Sequence, residues 1–294
     1  MSYQMIKFVK NEAIATITLN RPEKYNTFRL EMIEEIDNAL KDANQDDAVK
    51  VIILEGAGDS FCGGFDFSGG LEHYENIKEE GYDPGVDIHW VINSYTSYIP
   101  KFMGLWRGLK PSIAKVHGYC VGGGSELALC ADLVIASDDA RFGTPYSRVW
   151  GCHLTGMWIY RLGLAKAKYY ALTGEWISGK KAARIELINF SYPLEELDQR
   201  VDELARKLAK IPLTQLAAMK LIVNQAYDNM GLNGTQTLGP ILDGAMRNTP
   251  EGREFVRVAM SEGVKAVVEK RDGPFNDYSQ GPPEQQPRKR SELE

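Results

Sequence analysis

The sequence has few cysteines, no long hydrophobic run and no apolar N-terminal leader, and each absence excludes a class of protein. Four cysteines in 294 residues, without CxxC spacing, are too few for a disulfide framework and indicate free thiols in a reducing compartment. The longest apolar run, residues 127–136, is far shorter than the ~20 residues of a membrane span. The N-terminal stretch carries no signal-peptide pattern. We therefore expect a cytoplasmic globular protein.

The sequence also has no excess of basic residues. Lys and Arg total 34 against 40 Asp and Glu, for a net charge of −6, whereas binding to nucleic acid relies on a basic surface. The hydrophobic fraction of 44% and the charged fraction of 25% are typical of globular proteins with a substantial core. We expect neither nucleic acid nor membrane as a partner, although a local basic cluster can still bind a small anion.

Several widespread functional motifs are missing. No GK[ST] follows a glycine-rich turn, and neither GxGxxG nor GxSxG occurs, which argues against P-loop, dinucleotide-binding and α/β-hydrolase proteins. His, Cys, Asp and Glu do not cluster at metal-ligand spacing. We therefore expect no metal and no separate cofactor.

Hydrophobic periodicity predicts an α/β core in the first two thirds of the chain. Residues 13–19 alternate as a strand does, and the short apolar runs 49–56, 112–118 and 132–137 are typical of strands buried on both faces. Between the first two strands, apolar residues recur every three or four positions from 30 to 43, as on one face of a helix. This order predicts a parallel sheet with right-handed crossovers.

The C-terminal third has a different pattern. Residues 195–210, 213–230 and 250–270 are predicted helices without a strand between them, and their apolar faces need either the core or another subunit as a partner. Residues 276–294 have almost no apolar side chains and predict a disordered tail.

The segment from Gly69 to Pro100 is rich in Tyr, Trp and His. It predicts either a lid over a pocket or a surface helix–turn that packs its aromatic rings on the core. Its Trp90, with Trp106 and Trp150 elsewhere, lines a pocket or is an ordinary core residue.

Two glycine-rich segments carry the strongest chemical signal. FCGGFDF (61–67) follows one predicted strand, and HGYCVGGGSELALCAD (117–132) joins another strand to a helix that starts near Ser125. Consecutive glycines allow the backbone to approach a ligand closely, and the free N–H groups at a helix start favour an oxyanion. Glu126 places a carboxylate beside the second turn. This combination indicates oxyanion or enolate stabilisation with acid–base help.

With these segments the sequence resembles the crotonase (enoyl-CoA hydratase/isomerase) superfamily from about residue 5 to 275. The resemblance rests on six motifs in the family's order: ITLNRPEKYNTF (17–28), VIILEGAGDSFCGGFDF (51–67), KPSIAKVHGYCVGGGSELALCADLVIAS (110–137), RFGTP (141–145), YYALTGEWISGKKA (169–182) and VKAVVEKRDGPF (264–275). It implies an α/β fold, a crotonase-like spiral of ββα units with a C-terminal helical trimerisation region.

The resemblance also implies domains and partners. Residues 1–195 would form the spiral core with an acyl-CoA site, 196–275 a helical oligomerisation region, and 276–294 the tail. The substrate would be an acyl-CoA thioester, with coenzyme A as part of the substrate. The assembly would be a homotrimer or a dimer of trimers.

Site residues follow from the resemblance motif by motif. The thioester oxygen would lie between the N–H groups of Phe65 in CGGFD and Gly123 in VGGGSE, and the adjacent Gly64 and Gly122 are expected to bind the substrate. Glu126 falls on the first catalytic carboxylate of family hydratases. The alternative for Glu126 is an acid that only favours the helix N-terminus.

Further residues are expected to contact coenzyme A or to shape the pocket. Arg21, Lys24 and Tyr25 fall near the CoA nucleotide, and Lys270 falls where the family reaches the CoA phosphates from a neighbouring subunit. The other candidates are the pocket wall Trp150 and the short acid Asp66, which is expected to fix the first turn, as Asp132 would fix the second. His117 is expected to be structural.

One position departs from the family pattern. Family hydratases carry a second glutamate just after FGxP, whereas RFGTPYSRVWG (141–151) offers Tyr146 or Ser147 there, depending on the alignment. The following CHLTGMW (152–158) brings His153 near the expected pocket. The catalytic candidates are therefore Glu126, with Tyr146 or His153 as the second proton-handling group.

These residues predict an enzyme that stabilises a thioester enolate, above all an enoyl-CoA hydratase-like lyase. With Glu126 alone, one base suffices for an enoyl-CoA isomerase or for a C–C bond hydrolase acting on a bulky cyclic acyl-CoA. A non-catalytic family member that binds acyl-CoA is the remaining alternative.

Overall fold

The computed structural model describes residues 3–67 and 97–293, together with Gly85. The predicted lid or helix–turn at 69–100 and its Trp90 therefore lie outside the described residues, apart from Gly85 and the last four positions. Elements are numbered along the described chain.

Nine strands in the described residues form two sheets. They are β1 (Ile6–Asn11), β2 (Ile14–Leu19), β3 (Val51–Gly56), β4 (Ser112–Val116), β5 (Tyr119–Val121), β6 (Leu133–Ser137), β7 (Arg141–Gly143), β8 (Ile177–Ser178) and β9 (Phe190–Tyr192). The larger sheet has the order β1-β2-β3-β4-β6-β9, and the smaller has the order β5-β7-β8. Only β1 pairs antiparallel in the larger sheet, so the predicted parallel core is confirmed.

The helices cover the faces of the sheets and form the C-terminal region. They are α1 (Leu30–Gln45), α2 (Tyr98–Phe102), α3 (Gly104–Arg107), α4 (Gly123–Ala128), α5 (Met157–Leu162), α6 (Leu164–Thr173), α7 (Gly179–Arg184), α8 (Leu197–Ala209), α9 (Leu213–Asn229), α10 (Leu232–Arg247), α11 (Pro250–Ser261) and α12 (Val264–Asp272). None of them has the length and apolar character of a membrane span.

The sheet is buried on both faces because its strands are apolar at successive positions. Ile52 and Leu54 of β3 belong to the main core with the predicted apolar stripe of α1, which includes Ile36. The alternate residue Ile53 points to the other face, against Val201 of α8. Each such side chain contributes about 1.5–3 kcal/mol through burial, so the two helices hold the sheet from opposite sides.

The helical third differs from its sequence pattern in two places. The predicted helix 250–270 is two helices, α11 and α12, because Gly263 between them has a φ of +87°. Helix α10 is missing from the prediction, since its glycines and Pro240 lower intrinsic helix propensity. Packing of its buried residues overrides that local preference.

The tail is not disordered, in contrast to the expectation. Residues 276–293 lie on the core in short 3₁₀ turns: Tyr278 is buried, Arg141 donates to the Gln285 carbonyl at 2.8 Å, and the Ser291 amide donates to Asp59 at 3.0 Å. Composition misled the prediction because the tail is held by hydrogen bonds and ion pairs rather than by apolar burial.

Helix α9 buries the polar side chains of Lys220 and Asn224, whereas the apolar side chains of Leu221, Ile222 and Val223 are exposed. Buried Lys220 donates to Asp132 Oδ2 at 2.7 Å and to the Leu105 and Lys110 carbonyls. Asp132 also accepts from the Ser112 amide at 2.7 Å. The sequence predicts that Asp132 fixes the second glycine turn. In the structure Asp132 instead anchors α9 to the start of β4.

Candidate active site

Two turns at the ends of β3 and β5 lie side by side. Cys62 and Cys120 form a parallel bridge between them, in which the Cys62 amide donates to the Tyr119 carbonyl at 2.9 Å and the Val121 amide donates to the Cys62 carbonyl at 3.0 Å. The two glycine-rich segments that the sequence singled out are thus joined by backbone hydrogen bonds. Each turn fixes the position of the other.

The first turn fixes the direction of the Phe65 amide. Gly64 has a φ of +102°, a conformation that glycine adopts without steric cost, and its carbonyl accepts from the Phe28 amide at 2.8 Å. Since C=O and N–H of a trans peptide point in opposite directions, the N–H of Phe65 faces away from Phe28.

The second turn presents Gly123 as the first residue of α4, after Gly122 with a φ of +54°. The Phe65 ring packs so closely on Gly123 that a Cβ there would lie 2.6 Å from it. Within the described residues, neither the Phe65 nor the Gly123 N–H donates a hydrogen bond. Both donors predicted for an oxyanion are therefore adjacent and available.

Glu126 lies one turn into α4 and is completely buried. One carboxylate oxygen contacts His153 Nδ1 at 3.2 Å and accepts from the Leu154 amide at 3.3 Å. The other accepts from the Thr155 amide at 3.0 Å and from the Thr155 hydroxyl. The structure thus brings together Glu126 and His153, two of the three predicted catalytic candidates.

The segment after His153 is held from both sides. Gln236 of α10 donates to the Thr155 carbonyl at 2.9 Å. Trp158 stacks on the His153 ring, with 6.0 Å between ring centroids, and donates to Ser125 at 3.0 Å. The prediction missed Thr155 because a single sequence gives no signal that distinguishes it from the other threonines.

The structure distinguishes the two residues offered for the family's second glutamate. Both lie in the 3₁₀ turn Pro145–Arg148. The exposed Ser147 has its hydroxyl near Gly174, whereas the Tyr146 hydroxyl lies near Gly122, and the Tyr146 ring meets His153 edge-on at 5.8 Å. Tyr146 therefore occupies the site and Ser147 does not.

Tyr146 has an unusual environment for a phenol. Its hydroxyl is buried and has no hydrogen-bond partner among the described residues. Burial raises the pKa of Tyr146 well above its ordinary value, and the nearby Glu126 carboxylate raises it further. The group is therefore neutral and is able to donate a hydrogen bond into the site.

A group of C-terminal residues, here termed the C-terminal clamp, holds the turn that carries Tyr146. Arg148 makes two 2.6 Å hydrogen bonds to Asp277 and one of 3.2 Å to Asp272, and its guanidinium lies 4.0 Å from the centre of the Phe275 ring. Burial alone would lower the pKa of Arg148, but Asp277 raises it. The sequence prediction missed this buried charged group because its members are far apart in the chain.

The residues predicted near the CoA nucleotide fall into two groups. Arg21 is engaged with the Thr27 carbonyl at 2.6 Å and with Asp66 at 2.9 Å, so it fixes the loop together with Asp66. Lys24 and Tyr25 of the same loop are exposed. Only the latter two present free surface to a ligand.

Trp150 packs among aromatic rings, whereas Lys270 lies on the surface. Trp150 packs on Phe255 of α11 at 5.2 Å, and Phe67, just beyond the first turn, packs on Phe255 at 5.3 Å. Lys270 forms an exposed 3.0 Å ion pair with Glu254. Trp150 thus belongs to an aromatic cluster that joins α11 to the first turn.

Two other candidates have structural surroundings. Trp106 is buried against Tyr227, with 4.8 Å between ring centroids, and His117 contacts the Gly58 carbonyl at 2.7 Å while burial lowers its pKa.

In residues 3–67 and 97–293, no group of three or more His, Cys, Asp or Glu side chains could hold a metal ion.

The spiral α/β core with paired glycine turns and a helical C-terminal region is the crotonase fold. The sequence model of the enoyl-CoA hydratase/isomerase family matches residues 9–279. A crystal structure of enoyl-CoA hydratase from Mycobacterium smegmatis is 36% identical, with a TM-score of 0.88 over 94% of this chain and 96% of that one.

Two curated relatives give the same assignment. 1,2-Epoxyphenylacetyl-CoA isomerase from Escherichia coli is 31% identical over 92% of this chain and 99% of its own. Hydroxycinnamoyl-CoA hydratase-lyase from Pseudomonas fluorescens is 31% identical over 74% of this chain and 77% of its own. The chain belongs to the enoyl-CoA hydratase/isomerase family and is an enzyme of the crotonase superfamily.

Proposed function

We propose that this enzyme is a lyase that adds water across the double bond of an enoyl-CoA thioester. The observation that carries the proposal is the buried Glu126–His153 contact, with Glu126 in the short helix that begins at Gly123, together with the unpaired N–H groups of Phe65 and Gly123. Two such donors stabilise the negative charge that develops on a thioester oxygen, and the pair supplies a group that exchanges protons with the substrate.

The binding of coenzyme A is part of this proposal. Lys24 offers an exposed ammonium and Tyr25 an exposed ring for the nucleotide, with Arg21 holding their loop. Lys270 is proposed to reach the CoA phosphates bound to a neighbouring subunit. To do so it must leave its exposed partner Glu254, and breaking an exposed ion pair of this kind costs little stability.

Isomerisation of a double bond is the second candidate function. The observation that favours it is Tyr146 in place of a second carboxylate, since moving a double bond needs one group that takes and returns a proton. The same N–H groups would stabilise the enolate in this reaction, which neither adds nor removes a molecule.

Turnover of short, long and cyclic enoyl-CoA esters, followed by mass, tests the proposal. We expect a gain of one water on at least one ester, and a loss of this gain of at least 100-fold in Glu126→Gln, which keeps the side-chain shape but not the charge. Lys207→Met on the exposed face of α8 is the matched control. No water gain on any ester would contradict hydration, and an unchanged mass with a moved double bond would support the isomerase.

We further propose that the assembly is a homotrimer or a dimer of trimers. The exposed face of α9 carries Leu221, Ile222 and Val223, each more than half exposed, while its buried residues are Lys220 and Asn224. An apolar face of this kind indicates a protein interface, and α10 continues it with exposed Leu238, Leu242 and Met246.

The oligomer proposal predicts the effect of a charge on this face. Ile222→Asp is expected to shift the sedimentation mass from that of three or six protomers to that of one, because burial of an unpaired carboxylate disfavours association. Gln225→Asp, an exposed polar position on the same helix, is the control and should leave the assembly intact. A wild-type protein that sediments as a monomer at micromolar concentration would overturn the proposal.

A further inference from the structure

We propose that His153 Nε2, and not the Glu126 carboxylate, is the atom that exchanges protons with the substrate. Glu126 orients the His153 ring and stabilises the imidazolium that forms during the step. This inference deepens the proposed function, on which it rests for the identity of the site. It assigns the two residues different roles within one pair.

The first observation is that the Glu126 carboxylate is fully engaged. Its two oxygens accept hydrogen bonds from the Leu154 amide, the Thr155 amide and the Thr155 hydroxyl, and one of them contacts His153 Nδ1. The side chain has no exposed surface. These four contacts use the acceptor positions of both carboxylate oxygens. For Glu126 to take a proton directly, at least one of these hydrogen bonds would have to break.

The second observation concerns the two nitrogens of His153. Because a carboxylate only accepts hydrogen bonds, Nδ1 carries the hydrogen in the contact with Glu126. In the neutral ring Nε2 then has the free lone pair. Nε2 has no hydrogen bond to the described residues. It is also not one of the fully buried polar atoms that lack a partner, so it keeps some exposed surface. The side chain is 9% exposed, whereas that of Glu126 is not exposed at all.

The third observation is that the ring is fixed in place. Trp158 stacks on one side of it, Tyr146 meets it edge-on, and Glu126 holds Nδ1. A base held by a third group in one tautomer is the arrangement by which carboxylate–histidine pairs act in other enzymes. Glu126, Asp243, Cys152 and Tyr278 are the titratable groups that act on the neighbouring Tyr146.

The proposed step balances with one base and no second carboxylate. Nε2 takes a proton from water as the water oxygen bonds to the β-carbon, and the electrons of the double bond move toward the thioester oxygen between Phe65 and Gly123. The imidazolium, stabilised by Glu126, returns the same proton to the α-carbon, and the thioester carbonyl re-forms. One hydrogen and one hydroxyl are added, and nothing is oxidised or reduced.

The test uses two readouts on the full-length enzyme. Hydration of the best ester is measured, and exchange of the α-hydrogens of the corresponding saturated acyl-CoA in D₂O is followed by mass. We expect His153→Gly and His153→Gln to lower both rates roughly 10²–10⁴-fold, the range of general acid–base catalysis. Added imidazole is expected to restore at least tenfold of the loss in His153→Gly alone, because it fills the vacated space with the missing base.

Controls separate this role from a structural one. Glu126→Gln is expected to lose both rates without rescue by imidazole, and Lys207→Met, on the exposed face of α8, to keep both rates. Binding of the saturated acyl-CoA verifies the fold of each variant. Wild-type exchange without hydration would remove the proposed function and leave this inference standing. His153→Gln with wild-type exchange, or His153→Gly that folds and gains nothing from imidazole, would overturn the inference.

Discussion

Replacing Gly64 with alanine is expected to lower kcat/KM roughly 10²–10³-fold, the loss that follows removal of one oxyanion donor. A φ of +102° is strained for any residue with a Cβ, and that Cβ would lie 3.0 Å from the Val121 carbonyl oxygen. The turn must therefore rotate, and the Phe65 N–H rotates with it. Steady-state kinetics on the best ester measures the effect.

Gly63→Ala is the matched control for this variant. A Cβ on Gly63 would meet only the side chains of Thr27 and Tyr25 at 3.3–3.4 Å and the Tyr25 carbonyl oxygen at 3.6 Å, and the two side chains can shift by a few tenths of an ångström. We expect this variant to keep activity within a few-fold. Binding of a saturated acyl-CoA should survive in both variants, since neither change removes the Lys24 or Tyr25 side chain proposed to contact CoA. Full activity in a folded Gly64→Ala protein would contradict the role of this turn.

Replacing Lys220 with methionine is expected to destabilise the protein by about 3–5 kcal/mol, as when one partner of a buried ion pair is removed. Burial raises the pKa of Asp132 and lowers that of Lys220, in spite of their mutual attraction, so Asp132 depends on Lys220 to remain charged. The carbonyls of Leu105 and Lys110 lose a donor in the same variant. Urea denaturation at fixed protein concentration measures the change.

The double variant Lys220→Met with Asp132→Asn distinguishes charge from packing. Neutralising the remaining partner should recover much of the lost stability, because the uncompensated buried charge accounts for most of the cost. Lys207→Met, an exposed lysine on α8, should stay within ±0.5 kcal/mol of wild type. A Lys220→Met protein as stable as this control would contradict the anchoring role of the Lys220–Asp132 pair.

Short-range patterns in the sequence predicted much of the fold. The stripe on α1, the buried strands β3, β4 and β6, and the two glycine turns each follow from residues close together in the chain, where periodicity and conformational freedom are visible. The predictions of the tail and of α10 failed for the opposite reason. Both elements are stabilised by partners more than 50 residues away, such as Arg141 for the tail and Thr155 for Gln236 of α10.

The candidate site was predicted only in part, because some of its residues belong to local motifs and others come together only in the fold. Phe65, Gly123 and Glu126 belong to motifs that the sequence shows directly, and the structure places Tyr146, rather than Ser147, beside them. Sequence alone does not show that Glu126 binds His153 and Thr155, since side-chain directions across 27–29 positions depend on the fold. The roles of these residues in catalysis remain predictions that the proposed variants test.

The C-terminal clamp has a consequence for the synthesis of the enzyme. Arg148 and Asp277 are separated by 129 positions, so at 5–20 residues per second the ribosome makes the partner roughly 6–26 s after the arginine. Until then the turn that carries Tyr146 is without its anchor, and the guanidinium must stay in water. A chain cut short before Asp272 would therefore lack the residues that hold the Tyr146 turn, and we expect activity to begin only after Asp277 has been made.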